Sequence, residues 1–585
     1  MGQKIKRVRI NKLSSEGDLF EEIVFHDGIN LILGEKFDEN TTRGRKTNGV
    51  GKSMSIEFLN FCLLSDYDKS RIAKVPDEIL DPMTNIMLDL SVGEDSVQIK
   101  RCVGKQDKPI IIRNGKETEF NKLDDARNYI TELIFEDLSA NQIPSFRNLL
   151  SVLIRDEKSE FSDILKCHDI TKRIPDDLTT HLFMLGLSVE KYRIVLSTIK
   201  DIEKNQAALT KVKADLTENG NKKIPDVRAE MNALEAEVKE LEMALDAFKS
   251  NNAFESIEGE LAEIEEILDQ LRIKQKAYRR ELAKIKQMPK PESVNDDEIE
   301  LVYNQFKENL GEAIVKSLNE VIGFKNRVEE FQRVLVNKKA RELEERIADI
   351  STQIRTLDDK YSEKLKIIDT KGILKNLKAS LRVYEAKKDE VSRTQHFYAQ
   401  YEEYDRQKKR LSLLKSQELI DIDNDIEMLS QELKSFMNTI LAIHESIMGN
   451  RECSFDIKTK NTSKGKTPIE MSMRIYDDGS HSVDRTKVFI YDMALMFNEY
   501  TRIRHPLFLI HDNIFDVDQD TLVQCLNYLA KQEELYSDFQ YILTLNRDKI
   551  ENEERLKLIN LDVDNHQVAS FTKKKKFLQC DYQER

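Results

Sequence analysis

The 585-residue sequence predicts an α/β fold in which one core domain is divided into two halves by a long α-helical insertion. Three observations predict it. Short apolar, strand-like runs occur near both ends of the chain, a glycine-rich loop near position 50 follows one of them, and the middle carries apolar residues at alternating three- and four-residue spacing. We therefore divide the chain into an N-terminal half (1–187), a helical arm (188–449) and a C-terminal half (450–585).

Composition restricts the class of protein further. Charged residues are 34% and hydrophobic residues 39%, which is too charged for one large globule and too regular for a disordered chain. With a net charge of −14, nucleic-acid contacts would have to come from local Lys and Arg clusters. The six cysteines contain no C-x-x-C pair, which argues against a zinc site and a disulfide framework. We recognise no signal peptide or membrane-length apolar run, and expect a soluble, cytoplasmic protein without membrane contact.

The N-terminal half alternates strand-like and loop-like segments. Strands are expected at 6–10, 22–25, 30–33, 87–90 and 97–100. The third is a continuous apolar run that ends at Gly34, as expected for a buried strand.

The arm carries a heptad pattern. The apolar positions are Val227, Met231, Leu234, Val238, Leu241, Leu245 and Phe248, then Phe254, Ile257, Leu261, Ile264, Leu268 and Leu271, and later Leu343, Ile347, Ile350, Ile354, Leu357 and Tyr361. This is the apolar seam of a coiled coil, with charged residues between. The alternative is one long amphipathic helix packed on a globular domain.

Helix-breaking residues indicate where the arm turns. Pro289 and Pro291 suggest an apex near 288–297, which would make the coil antiparallel and place the breaks at Gly220 and Gly372 opposite each other as a paired joint. A second candidate for the tip is the less regular stretch at 305–330.

The C-terminal half returns to an α/β pattern. Strands are expected at 506–512, 539–544 and 568–571. The first is apolar and ends in the acid Asp512.

The loop at 49–53, Gly-Val-Gly-Lys-Ser, follows a strand and precedes a helix-like segment. Such a loop directs backbone N–H groups at phosphates, Lys52 would reach the β- and γ-phosphates, and Ser53 would ligate Mg²⁺. The Gly expected four residues before this G-K-S is replaced by Lys46, so we interpret 35–47 as an insertion; a chance match is the alternative. Asp512, at the end of a buried strand, is the expected magnesium-side acid.

The runs 25–34 and 48–53 resemble the N-terminal head of the SMC/RecN superfamily of ABC-type ATPases, and the order of head half, coil and head half covers the whole chain. The resemblance implies an ABC-type ATPase head assembled from both halves. It further implies a homodimer whose heads sandwich two molecules of ATP with Mg²⁺, each site being completed by a loop of the other subunit.

The resemblance also assigns roles to individual residues. It implies that ATP is bound by Gly34, Asn48, Gly49, Val50, Gly51, Lys52, Ser53, Asp518 and, from the other subunit, Ser482. It implies that Ser53 and Asp512 hold Mg²⁺, and that Asp512, Asn513 and Asn546 stand at the catalytic positions.

Several of these positions depart from the family pattern. Asn513 stands where the family has a catalytic Glu, Asn546 where many members have His, and the segment beginning at Ser482 lacks both signature glycines. The Gln loop is best matched by 155–156. Because Asn can orient water but cannot take its proton, hydrolysis would be slow, depend on activation, or recruit another base such as Asp516.

Taken together, the departures resemble a bacterial SMC-like subfamily encoded with small companion and effector subunits in antiviral or anti-plasmid cassettes. This implies an ATPase that senses or clamps DNA. Two alternatives stay open: an ATPase for repair or chromosome maintenance, and a nucleotide-binding scaffold with little turnover. The basic runs 43–47 and 573–576 would contact DNA or phosphates, or would simply be solvated.

Overall fold

The structure is a computed structural model. It describes residues 5–36, 49–136, 138–167, 169, 171, 176–218, 220–249, 258–287, 318–368, 373–461, 467–475, 479–515, 517–550 and 557–581. The chain separates into two compact units: an α/β unit formed by 1–204 with 408–585, and a helical unit formed by 205–407.

The secondary structure follows the mixed pattern that the sequence predicts. The strands are β1 (Val8–Ser15), β2 (Ile23–Val24), β3 (Gly28–Gly34), β4 (Asn85–Val92), β5 (Asp95–Cys102), β6 (Ile110–Arg113), β7 (Lys116–Glu119), β8 (Ile154–Arg155), β9 (Ser454–Thr459), β10 (Ile469–Arg474), β11 (Phe508–Asp512), β12 (Gln540–Asn546) and β13 (Gln567–Phe571). The helices are α1 (Lys52–Cys62), α2 (Leu123–Ile134), α3 (Phe146–Leu153), α4 (Thr179–Met184), α5 (Val189–Leu216), α6 (Ile224–Lys249), α7 (Glu258–Gln287), α8 (Leu318–Ile368), α9 (Ile373–Met428), α10 (Ser430–Met448), α11 (His481–Phe497) and α12 (Gln519–Leu535).

A parallel sheet lies at the centre of the α/β unit, in the order β13-β3-β12-β11-β8. Its strands β3, β11 and β12 are buried along their whole length, which explains their continuous apolar sequences. The order mixes strands of the two halves, with β3 and β8 from the N-terminal half and β13, β12 and β11 from the C-terminal half, so neither half contains the sheet alone. In the register, Gly34 lies opposite Asn546 and Asp512 lies opposite Thr544, which brings the carboxyl ends of three strands to one edge.

Two further sheets are antiparallel. Six strands from the N-terminal half run in the order β2-β1-β4-β5-β6-β7, and β9 pairs with β10 as a hairpin. Strand β4 alternates partly exposed and buried residues, as expected for a sheet with one face on the core. All eight predicted strands are confirmed, whereas β6 to β10 were not predicted, because they are short or carry few apolar residues.

In the described part of the helical unit, neighbouring helices form antiparallel pairs. Helix α6 pairs with α9 through Glu242 and Tyr384, at 3.1 Å, and α7 pairs with α8 through Lys286 and Glu344, at 2.8 Å. A third pairing is parallel: Lys276 of α7 forms an ion pair of 2.6 Å with Asp389 of α9. Within this unit, α6 and α8 therefore run in one direction and α7 and α9 in the other.

The register of the α7–α8 pair can be compared with the predicted position of the turn in the arm. Midway between Lys286 and Glu344 lies position 315, and midway between Glu260 and Lys364, which also pair, lies 312. The proposed apex at 288–297 lies outside the described residues and stays a prediction. The observed register is compatible with the second candidate, 305–330.

The turn after α5, which contains Gly220, differs in its surroundings from the expectation. The side chains on either side of it, Leu216 and Val227, pack with Phe397 and Tyr401, well inside α9. Since α9 begins at Ile373 and is helical throughout, this turn does not lie opposite the break near 372. The symmetry of the two glycine breaks in the sequence was therefore misleading.

Among the described residues, every helix is too short or too polar to cross a lipid bilayer.

Candidate functional site

The glycine loop leads directly into α1. Gly49 and Gly51 have φ angles of +69° and +109°, in the left-handed region that favours glycine, and Gly51 caps the amino end of α1. A Cβ atom on Gly51 would lie 2.5 Å from the Cβ of Phe577. Because the N–H groups of a first helical turn have no carbonyl partner within the helix, this end is suitable for an anion. Of the predicted site residues here, Asn48 lies outside the described residues.

Ser53, at the start of α1, meets Asp512, at the end of β11, although 459 positions separate them. The Ser53 hydroxyl donates to the Asp512 carboxylate across 3.1 Å, and the Thr544 hydroxyl donates to the same oxygen across 2.6 Å. Burial raises the pKa of Asp512 to about 6, because the negative charge is removed from water. A buried carboxylate beside a hydroxyl is an oxygen donor set that suits Mg²⁺, and a cation here would offset the cost of the buried charge.

Lys52 precedes Ser53 and contacts the third strand end. Its ammonium group donates to the side-chain oxygen of Asn546, which in register is opposite Gly34. Burial lowers the pKa of Lys52, while the nearby carboxylates of Asp512 and Glu157 act in the opposite direction. Lys52 is thus a buried cation close to carboxylates, and an anion bound beside it would change this balance of charge.

Asn513 follows the strand-end acid in a left-handed conformation, with a φ of +63°. Asn tolerates this region better than most residues, and here its N–H donates to the Thr544 hydroxyl at 3.0 Å. Its side-chain amide donates to the carboxylate of Glu157, two residues after the end of β8. The backbone of Asn513 also accepts a hydrogen bond of 2.9 Å from Arg485 of α11.

These groups open onto a polar cavity of about 480 Å³. It is lined by Gly49, Val50, Gly51, Lys52, Ser53, Met54, Arg71, Glu157, Asn513, Lys576, Phe577, Leu578 and Cys580. The volume lies in the range of small-molecule sites. Six predicted residues therefore share one cavity, and Asp512 and Asn546 contact two of them.

The C-terminal segment forms one wall of this cavity, which the sequence did not predict. Phe577 donates a backbone hydrogen bond of 3.1 Å to Val50 and packs its ring against Phe20 and Phe58. Lys576 lines the cavity and forms an ion pair with Asp581. The sequence feature that could have revealed this wall is the apolar pair Phe577-Leu578, directly after a lysine run. A tail that is only solvated would not need two apolar residues there.

Ser482 and Asp518, two further predicted residues, lie outside the cavity lining, as Gly34 does. Ser482 accepts a hydrogen bond of 3.2 Å from the backbone N–H of Asp518, and Asp518 caps α12 by accepting from Thr521. Asp516, the suggested replacement base, lies outside the described residues. Within one chain, Ser482 and Asp518 are therefore joined by a hydrogen bond.

The two residues of the Gln-loop candidate, 155–156, lie in different environments. Arg155 is fully buried and forms a bidentate pair with Asp492 of α11, at 2.7 and 2.8 Å. Asp492 also contacts His511 at 3.0 Å, and burial lowers the pKa of this histidine. Arg155 thus connects elements of the two halves behind the site, while Asp156 lines a smaller cavity of about 180 Å³ that also reaches Ser53.

A family described as an uncharacterised protein conserved in bacteria, DUF2326, matches residues 443–582. No curated protein matches the chain.

Two solved structures are similar over most of the length. One is the Smc head domain with a coiled coil and joint from Pyrococcus yayanosii: 12% identity, 94% of each chain covered and a TM-score of 0.34. The other is the Smc head domain with an extended coiled coil from Pyrococcus furiosus, bound to the C-terminal domain of ScpA: 10% identity, 93% of this chain and 90% of that one covered, and a TM-score of 0.33. At such TM-scores the similarity by itself assigns neither fold nor activity to this chain.

Proposed function

We propose that this protein binds ATP with Mg²⁺ in the cavity beside α1 and hydrolyses it. The contact between Ser53 and Asp512 carries the proposal, because it joins a glycine loop at a helix amino end to the acid of a buried strand. The loop N–H groups and Lys52 would hold the phosphates, and Ser53 and Asp512 would hold the metal ion. Bound Mg²⁺ supplies positive charge that stabilises the phosphates in the transition state.

The binding step is tested by calorimetric titration of the purified chain with MgATP. Lys52→Ala removes the buried ammonium group, and we expect at least a tenfold loss of affinity, as for the loss of a charge-assisted contact. Lys116→Ala is the matched control, because Lys116 is exposed on a hairpin edge. Equal affinity of wild type and Lys52→Ala, or no ATP binding by the wild type, would refute the proposal.

A second candidate is a coiled-coil scaffold that binds nucleotide with little turnover. The observation in its favour is Asn513, an amide that orients water but does not accept its proton. Measuring phosphate release at saturating MgATP separates the two candidates. Sustained turnover near the median of about 10 per second for enzymes would count against the scaffold.

We further propose that two heads pair around two molecules of ATP, as a homodimer. Support comes from Ser482 and Asp518, which lie outside the cavity of their own chain at partly or fully exposed positions, where a second copy could reach them. Size-exclusion chromatography with light scattering, with and without MgATP, tests this. The dimer should form with ATP in the wild type and fail to form in Lys52→Ala; a monomer under both conditions contradicts it.

The biological setting is proposed from the sequence resemblance. The inserted coiled-coil arm and the ATPase head would sense or clamp DNA, with small companion and effector subunits, as part of a bacterial antiviral or anti-plasmid system. A role in repair or chromosome maintenance is the alternative. Stimulation of phosphate release by duplex DNA tests whether the protein senses or clamps DNA. The identity of the neighbouring genes separates a defence role from a repair role.

A further inference from the structure

The proposed ATPase lacks a carboxylate directly after Asp512, where a base for the attacking water would be expected. We propose that Glu157, from the other half of the chain, is this general base. The inference rests on the function proposed above, and it assigns the proton-accepting role to a residue 356 positions away from Asn513.

Glu157 lies among the groups that would hold the nucleotide. It opens a short 3₁₀ turn, Glu157–Ser159, two residues after the end of β8, the edge strand beside β11. Its carboxylate lines the 480 Å³ cavity together with Lys52 and Ser53, and it also lines the 180 Å³ cavity that reaches Asp512. The parallel pairing of β8 with β11 brings the two strand ends, and hence Glu157 and Asn513, to the same edge.

Together, Asn513 and Glu157 would perform the two tasks of a single catalytic Glu, which are to position the attacking water and to accept its proton. The amide nitrogen of Asn513 is held by Glu157, while its amide oxygen is buried and has no hydrogen-bond partner among the residues that the structure describes. A buried acceptor without a partner is costly, and a water molecule would satisfy it. Asn513 would therefore accept one hydrogen of the water and fix its position, and the neighbouring carboxylate would accept the proton.

The neighbouring acid, Asp156, is less suitable. One of its oxygens accepts the backbone N–H of Lys158 at 3.1 Å, and the other lies 3.7 Å from the Lys158 ammonium. Both oxygens are thus occupied by the turn itself.

The reaction then balances with groups already present. The water oxygen forms a bond to the γ-phosphorus, and the bond from that phosphorus to the β–γ bridging oxygen breaks. The bridging oxygen leaves with the electron pair as part of ADP, and the proton of the water passes to Glu157, which later releases it to solvent. Lys52 compensates the negative charge on the phosphates throughout.

The experiment separates binding from chemistry. Glu157→Gln keeps the size of the side chain but removes the proton acceptor, so ATP affinity should stay within about threefold of the wild type, while turnover should fall by roughly 10²- to 10⁴-fold. Glu160→Gln, at an exposed position three residues later, is the matched control and should behave as the wild type. Nucleotide recovered from the protein after rapid desalting gives a second readout: ATP from Glu157→Gln, and ADP from the wild type and the control.

A reciprocal swap guards against a merely structural effect. In the double variant Glu157→Gln with Asn513→Asp, the amide and the carboxylate exchange places, and turnover should recover at least tenfold over Glu157→Gln alone. Unchanged turnover in Glu157→Gln, loss of ATP binding in that variant, or no recovery in the swap would each overturn the proposal while leaving the ATPase function intact. A wild type that binds no ATP, or binds it without turnover, would overturn the base together with the hydrolysis proposed above.

Discussion

Replacing Asp512 by Asn should stabilise the ligand-free protein, although it removes the proposed metal ligand. Asp512 is 3% exposed, and burial raises its pKa from 3.8 to about 6. This rise in pKa corresponds to about 3 kcal/mol of lost stability at neutral pH. The Asn side chain keeps a hydrogen-bonding oxygen for Thr544 and Ser53 and carries no charge, so most of this cost should be recovered.

The sign of the pH dependence follows from the raised pKa. The folded state holds the Asp512 proton up to about pH 6, whereas the unfolded state loses it near pH 4, so this residue lowers stability as pH rises between those values. The advantage of Asp512→Asn should therefore be about 3 kcal/mol at pH 7.5 and roughly half of that at pH 5.

The assay is thermal or urea unfolding of wild type and Asp512→Asn without nucleotide, at pH 5 and pH 7.5. Asp107→Asn, at an exposed position, is the control and should change stability by less than about 0.5 kcal/mol. Addition of MgATP should stabilise the wild type but not Asp512→Asn. A variant that is less stable than the wild type at pH 7.5, or an advantage that grows as pH falls, would refute the argument that the buried charge of Asp512 costs stability.

Three further predictions concern the surroundings of the site. Gly51→Ala should weaken MgATP binding at least tenfold in a titration, because its φ is +109° and the new Cβ would lie 2.5 Å from that of Phe577. Phe577→Ala should cost about 3–5 kcal/mol in unfolding experiments, as for a buried aromatic ring, whereas the exposed Lys574→Ala should change stability little. Arg155→Met and Asp492→Leu should each cost about 3–5 kcal/mol, and the double variant much less than their sum, because each single change leaves one buried charge unpaired; additive costs would contradict this.

Much of the sheet could be predicted because its strands are simple in sequence. Strands β3, β11 and β12 are short apolar runs, and both Gly34 and Asp512 mark strand ends. The loop at 49–53 could also be located, because glycines before Lys and Ser have a specific physical use. The prediction placed these segments together because they were expected to form one shared site. The contact between Ser53 and Asp512 agrees with that expectation.

The residues that the sequence did not reveal act through tertiary contacts. Glu157 follows a two-residue strand, β8, which has too few residues for a periodic pattern, and nothing local distinguishes it from other exposed acids. The C-terminal lysine run was interpreted as a solvated or DNA-contacting segment, but Lys576 and Phe577 line the cavity. Their position depends on the aromatic contacts of Phe577 with Phe20 and Phe58, which no local rule predicts.

The strand order of the central sheet has a consequence for biosynthesis. Strand β3 pairs on its two sides with β12 and β13, which are synthesised much later. Asn30 therefore has no partner in β12 until Ile542 has been synthesised. At about 5–20 residues per second, the ribosome takes on the order of half a minute to two minutes to make the intervening chain. During that interval the apolar edges of β3 are unprotected, so expression at low temperature with chaperones should raise the yield of native protein, and chains truncated before β12 should aggregate.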